Sequence, residues 1–380
     1  MLSNGTMGVS VAKSLFLLFL PCVPSCTPDA PHPSPILEIS LHAVAEIGPD
    51  VHGGQIGTGG IALGPDGSLA VIDPWNRQVV LIRGEGQHGT RIGTSGGGPG
   101  EFTGPRLVAV LDDGVVAAYD RALRRLSFWG PGGELLEERI LPRSVWSMRG
   151  DGQSILLKVG REGVAAEDGG FAIIRVETGF QEATLFETSR GAPLDGSVSK
   201  GESVPQICSV CPFFRTGDGE WVFQTGGWTD HIVGVNDNGR VGTVWSRGRE
   251  PAPLSDAEWL EERRLLHDEA RAMAQDLTPA LGAVYPEFNP RTTGDPPLRR
   301  ILSQRGAFGV DGQDRVWTLP SLPPDSVPRL EVHGYDGTFL GDVQLGERPL
   351  RLDVRGAWLA LVVEDELGLA TVRLFRIAED

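Results

Sequence analysis

The sequence predicts an all-β fold, a six-bladed β-propeller, and three observations predict it. A unit of about forty residues recurs six times along the chain, the period of a propeller blade rather than of a helical solenoid. Each copy consists of short apolar runs of period two punctuated by Gly, Asp and Asn, the pattern of half-buried antiparallel strands. Glycine supplies 52 of 380 residues and the apolar runs stay short, which suits a turn-rich β body formed as one large domain.

The first copy, Gly64 to Phe102, shows the grammar. An Asp66-Gly67 turn opens the run Leu69-Val71-Asp73, a polar corner spans Pro74 to Arg77, and Val79 to Ile82 form a second run. A glycine turn, the run Arg91-Ile92 and the Gly/Pro-rich GGGPGEF exit complete it. The later copies open at Asp113-Gly114, Asp151-Gly152, Asp218-Gly219 and Asp311-Gly312, and a degraded sixth runs from Leu352 to Ile377. That sixth copy lacks a fourth strand. The orphan run Ile36 to Ile47, ahead of the first copy, is expected to supply it by pairing with the C-terminal strand, which closes the ring and removes two open sheet edges.

The segment IDPWNRQVVLI followed by GGGPGEFTGP resembles the NHL-type repeat, with its Asp, its Asn-Arg, a strand, and Gly-Glu-Phe before a Pro. From about Ile36 onward the chain is similar to bacterial secreted or lipid-anchored six-bladed propellers of the NHL/TolB-like group. The resemblance implies the fold over nearly the whole chain. It implies no single activity, because one fold hosts many functions, and it carries no catalytic residue onto this sequence.

The formal net charge of −16 excludes a nucleic-acid binder, since no basic stripe is left to neutralise phosphates. Residues 1 to 26 read as an export signal: Lys13 precedes the short apolar run SLFLLFL, too brief to span a bilayer, and Pro and small residues follow. Val23-Pro24-Ser25-Cys26 resembles a bacterial lipobox with Cys26 as the lipidated residue; Cys22 is a competing site, and an ordinary signal cleavage is the alternative. The Pro-rich stretch 27–35 is then a stiff tether to a folded body at 36–380. These features place the protein outside the cytoplasm, in the periplasm or cell envelope, touching membrane only through a lipid anchor. Cys208 and Cys211 form a CxxC that in an oxidising compartment is expected to be a local disulfide. A redox role would need a helix N-terminus, and zinc would need two further ligands.

In a four-strand blade the corner between the second and third strands and the passage to the next blade emerge on one end. That end is expected to collect His52, Trp75, Asn76, Arg77, Arg121, the CxxC, Trp228, Asp230, His231 and the acidic run Glu364 to Glu366. The candidate binding residues among them are His52, Trp75, Asn76, Arg77, Arg121, Trp228, Asp230 and His231. The same end receives the one large insertion, about 248–301, between the fourth and fifth copies. Its core opens with a capping box, Ser255 and Glu258. Trp259, Leu266, Ala270, Met273 and Leu277 follow at helical spacing and Pro279 ends the run, so an amphipathic helix is expected to lie on the propeller as a fixed cap or a lid.

Propeller enzymes that use a metal set His, Asp or Glu from several blades around the channel, because a hard cation needs converging oxygens and an open position. The innermost runs here read as apolar, with only Arg215 and Asp353 standing out, so no metal and no other cofactor is expected. Asp73 and Asp120 recur at one blade position, where a carboxylate is expected to hold corner amides and the neighbouring Arg77 or Arg121. The glycines of GGGPGEF lead into a strand rather than a helix, so they are expected to make a tight passage with Phe102 packed between blades, not a phosphate cradle. No nucleophile elbow, H-E-x-x-H or P-loop occurs. Two function classes remain. One is a monomeric, non-catalytic exported propeller presenting its insertion-bearing end to a protein, peptide or glycan. The other is a metal-dependent hydrolase or lyase, lactonase-like, with its site at the channel mouth.

Overall fold

Period-two alternation and glycine turns build the strands that the sequence predicts. The computed structural model describes residues 39–52, 56, 60–83, 89–160, 171–188, 212–224, 232–237, 241–245, 254–260, 263–264, 267–268, 271, 287, 289, 308–322, 326–365 and 367–379. The leading strand β1 (Ile39–Ile47) is followed by a one-turn helix α1 (Pro49–His52). Blade 1 comprises β2 (Ile61–Leu63), β3 (Leu69–Asp73), β4 (Gln78–Ile82) and β5 (Gly89–Ile92). Two short strands, β6 (Thr94–Ser95) and β7 (Glu101–Phe102), pair in parallel within the passage to blade 2. Blade 2 holds β8 (Pro105–Val110), β9 (Val116–Asp120), β10 (Arg125–Trp129) and β11 (Leu135–Ile140). Blade 3 holds β12 (Val145–Asp151), β13 (Ser154–Gly160), β14 (Phe171–Glu177) and β15 (Glu182–Thr188). Blade 4 holds β16 (Phe213–Arg215), β17 (Trp221–Gln224), β18 (Ile232–Val235) and β19 (Val241–Trp245). Blade 5 holds β20 (Phe308–Val310), β21 (Val316–Thr318), β22 (Arg329–His333) and β23 (Phe339–Gln344). Blade 6 takes only three strands from its own copy, β24 (Arg351–Arg355), β25 (Trp358–Glu364) and β26 (Ala370–Glu379).

Every blade is a four-stranded antiparallel meander in chain order, except that β1 completes blade 6 as its outermost strand. β1 pairs with β26 from Ile39 opposite Glu379 to Ile47 opposite Val372, with one bulge at Ala43/Ala45. The orphan run therefore closes the ring as expected, its described part beginning at Ile39. The first strands of successive blades lie against one another around the axis. Side chains alternate between the two faces of each blade, and the cores form between blades. Ile72, Val79, Ile92 and Phe102 of blade 1 meet Val108, Ala118 and Trp129 of blade 2. Leu352, Val354 and Leu361 of blade 6 meet Trp317, Leu330 and Val332 of blade 5.

The meander gives the propeller two distinct ends. One carries the turns between first and second strands, and we call it the turn end. At Gly67 that turn needs a φ of 81° and an added Cβ would stand 2.6 Å from the Trp358 ring of blade 6, so only glycine fits. Backbone contacts join blades here: Asp112 N–H donates to the Gly152 carbonyl (2.9 Å) and Gly312 N–H to the Gly356 carbonyl (3.0 Å). The other end, the corner end, carries the corners between second and third strands and the passages from blade to blade. Since β1 and β26 are antiparallel, the chain enters blade 6 at Ile39 and finishes β26 at Glu379 on the turn end. The insertion is a minor helical element. Helical residues 256–260 start at the predicted box, with Glu258 N–H donating to Ser255 Oγ (3.3 Å) and Ser255 N–H to Glu258 Oε2 (2.9 Å). Leu266, Ala270, Met273 and Leu277 lie outside the described residues.

Candidate functional site

On the corner end, buried carboxylates hold the corners rigid. Asp73, fully buried, accepts from Asn76 N–H (3.0 Å), Asn76 Nδ2 (2.7 Å) and Gln78 Nε2 (3.1 Å). This fixes the Pro74-Trp75-Asn76-Arg77 corner and leaves the Trp75 indole 69% exposed. Asp120 does the same for blade 2, accepting from Thr103 N–H (2.6 Å), Gly104 N–H (2.9 Å) and Leu123 N–H (2.9 Å). The expectation that Arg77 and Arg121 would pair with these carboxylates is corrected. Arg77 has φ 52°, a left-handed position that swings its side chain away from the strand end, and its Nη1 donates to Ser95 Oγ (3.4 Å). Arg91 approaches Asp73 instead, at 3.9 Å. The glycine-rich passage folds on itself: Gly98 N–H donates to Glu101 Oε2 (2.7 Å) and Thr103 Oγ1 to the Gly96 carbonyl (2.9 Å), while Phe102 is buried against Trp129 at 6.0 Å. That is a structural passage.

Eight large apolar side chains are exposed among the described residues: Trp75, Leu136, Ile140, Leu260, Val327, Leu350, Leu367 and Leu369. Five of them, Trp75, Val327, Leu350, Leu367 and Leu369, sit at the corner end of blades 5, 6 and 1, which are consecutive in the ring. Leu367 is 83% exposed, and its corner is held by Asp365 Oδ1, which accepts from Leu367 N–H and Leu369 N–H, both at 2.9 Å. Leu350 is fixed by its N–H donating to the Val362 carbonyl (2.8 Å). Exposed acids surround this arc: Glu46, Asp50, Glu347, Glu364 and Asp365. Arg373 lies between two of them, 3.4 Å from Glu46 and 2.8 Å from Glu347.

The turn end of the channel holds charged residues that the sequence reading missed. The innermost runs read as apolar with only Arg215 and Asp353 standing out, yet β12 continues to Asp151 and brings Arg149 to the axis. Arg149 Nη2 donates to the Val354 carbonyl (2.8 Å), its Nη1 lies 3.5 Å from Asp353 Oδ1, and its guanidinium stacks 4.1 Å over Phe214. Burial pushes Arg149 down to about 10, with Asp353 opposing, so it stays charged at neutral pH. Across the axis Arg355 donates to the carbonyls of Leu63 (3.1 Å) and Val110 and to Asp112 Oδ1 (2.6 Å). Asp353 Oδ2 accepts from Leu63 N–H (2.8 Å). Two arginines thus tie blades 1, 2, 3, 4 and 6. Asp353 stood out in the sequence, and its role is to join these blades. Arg215 belongs to its own blade, over the Trp221 ring at 4.9 Å and 3.1 Å from Asp237. Glycine counting could have found a further residue: Lys158 stands six residues past its turn glycine, as do Asp73 and Asp120. It is fully buried, with Nζ 5.2, 5.3 and 5.4 Å from the rings of Phe171, Phe213 and Phe223, and burial pushes it down to about 7.

Of the predicted binding residues, Trp75, Asn76 and Arg77 share one corner and Arg121 opens the next, both on the corner end. His52 ends α1, its side chain outside the described residues, as are Trp228, Asp230, His231, Cys26, Cys208 and Cys211 altogether. Among the described residues no three His, Cys, Asp or Glu side chains converge as a metal site, and no helix is long and apolar enough to cross a membrane.

No protein-family profile matches the sequence, and no curated protein matches it. Solved structures do resemble the fold. A candidate exported protein of Bacteroides fragilis superposes with a TM-score of 0.50 at 12% identity, covering 90% of this chain and 96% of that one. The PQQ-bound aldose sugar dehydrogenase of Streptomyces coelicolor gives 0.46 at 14% identity, with 91% and 100% covered. A gluconolactonase of Xanthomonas campestris gives 0.42 at 11% identity, with 90% of each chain covered. At such an identity the likeness to the Bacteroides fragilis protein speaks for the fold alone.

Proposed function

We propose that this propeller is an exported binding module that takes a macromolecular partner on its corner end, over blades 5, 6 and 1. The observation that carries the reading is the concentration there of five of the eight exposed large apolar side chains among the described residues, with the Trp75 corner held by buried Asp73 and the Leu367–Leu369 corner by Asp365. Exposed apolar groups gathered on rigid corners are what interaction sites look like, and a presented indole is a preferred anchor. The lipid anchor at Cys26 and the apolar run after Lys13 belong to the same reading.

The test is site-specific photo-crosslinking in the producing cell, with the photoreactive residue placed at Trp75 or Leu367 and, for comparison, at Asp113 on the turn end. Discrete adducts from the first two positions and none from Asp113 are expected. Adducts only from Asp113 would sink the reading.

A further inference from the structure

Resting on that reading, we propose that the occupant of the corner-end arc is a cationic amphipathic segment of a partner protein, with Lys or Arg interspersed among large aliphatic residues.

The arc supplies the apolar contacts. Trp75, Leu350, Leu367 and Leu369 are side chains of a size that fills pockets between aliphatic residues of a partner, and their corners are already ordered. Pre-ordered anchors reduce the entropy lost on association. The residues that enclose these anchors set the charge of the surface. Glu46, Asp50, Glu347, Glu364 and Asp365 are exposed around the arc, and the sequence places Glu366 beside Leu367. Arg373, shared by Glu46 and Glu347, offsets one of these charges, and the exposed arginines of the arc, Arg77, Arg91 and Arg348, are fewer than its exposed acids. A whole-chain charge of −16 adds a long-range field of the same sign. The complement of an apolar arc with an acidic surround is a basic amphipathic segment. The same charges disfavour two other occupants: an anionic lipid surface would be repelled, and a second copy would bring acid against acid.

The purified protein is titrated into three labelled synthetic 14-residue peptides and anisotropy is followed at 50 and 300 mM salt. One alternates Leu with Lys at helical spacing, one has Glu for every Lys, and one has Ser for every Leu. The Leu/Lys peptide is expected to bind at least tenfold tighter than either of the others and to weaken severalfold at the higher salt. The variant carrying Trp75→Ala and Leu367→Ser should lose at least tenfold for it, with an unchanged melting temperature because both side chains are exposed. Equal binding of the Ser/Lys peptide, or Leu/Lys binding indifferent to the double variant, would mean unspecific charge attraction and overturn the proposal. Tighter Leu/Glu binding that the double variant abolishes would overturn the cationic partner while keeping the docking end. A concentration-dependent dimer abolished by the same variant, seen by sedimentation, would replace the partner with a second copy.

Discussion

The replacement Lys158→Met measures what it costs to bury an ammonium between two blades. The lysine is fully buried against Phe171, Phe213 and Phe223, and desolvation brings its pKa from 10.5 to about 7. At about 1.36 kcal/mol per unit, that shift corresponds to roughly 5 kcal/mol of penalty on the charged form, an upper figure. Three ring faces near Nζ and the further contacts of this side chain offset part of that penalty. Met fills a similar volume with no charge, so the variant isolates the pH-dependent part. Between about pH 7 and 10.5 the unfolded chain holds the proton that the folded protein releases, so wild-type stability rises with pH in that window while the variant lacks this contribution. The stability of the variant relative to wild type should therefore be highest below pH 7 and fall by about 3 kcal/mol between pH 6.5 and 9.5. Urea unfolding of both proteins at pH 6.5, 8 and 9.5 reads it directly. A difference that does not change with pH, or one that rises with pH, would refute the reasoning.

Three further outcomes are expected. Asp120→Ala strips acceptors from three backbone amides, at 2.6, 2.9 and 2.9 Å, and should lower unfolding free energy by about 3 kcal/mol in urea, with Asp120→Asn costing less. Arg355→Met leaves the Leu63 and Val110 carbonyls and Asp112 without their shared donor and should cost about 2–4 kcal/mol, seen as a drop in melting temperature by calorimetry. Calcium at millimolar concentration should leave the melting temperature within about a degree; a rise that saturates with calcium would instead restore the metal-dependent hydrolase or lyase reading.

The blade count, the closing strand, the structural passage through Phe102 and the capping box at Ser255 were legible because each is a local signal. Turn glycines, period-two runs and cap residues are set by neighbours in sequence. Arg149 and Arg355 were not legible. Both act on carbonyls more than 200 residues away. Lys158 was hidden inside SILLKV, where a single lysine in an apolar run looks like a solvated strand position; its burial is set by Phe213 and Phe223 of the next blade. Trp75 was a candidate from its corner alone. Its grouping with Leu350 and Leu367 was not, because exposure depends on how three blades sit side by side.

The pairing of β1 with β26 has a consequence for how the molecule is made. β1 precedes the first blade in the chain and finds its partner only after more than 300 residues have followed, so blade 6 cannot form from a local meander. Loop closure over that distance is entropically slow, and hairpins within blades 1 to 5 form well before it. Until then Ile39–Ile47 stays an unpaired, β-prone ribbon, the segment for a chaperone to hold. Pulse-labelled hydrogen exchange during refolding should find the amides of β1 protected last, together with those of β26 that face them.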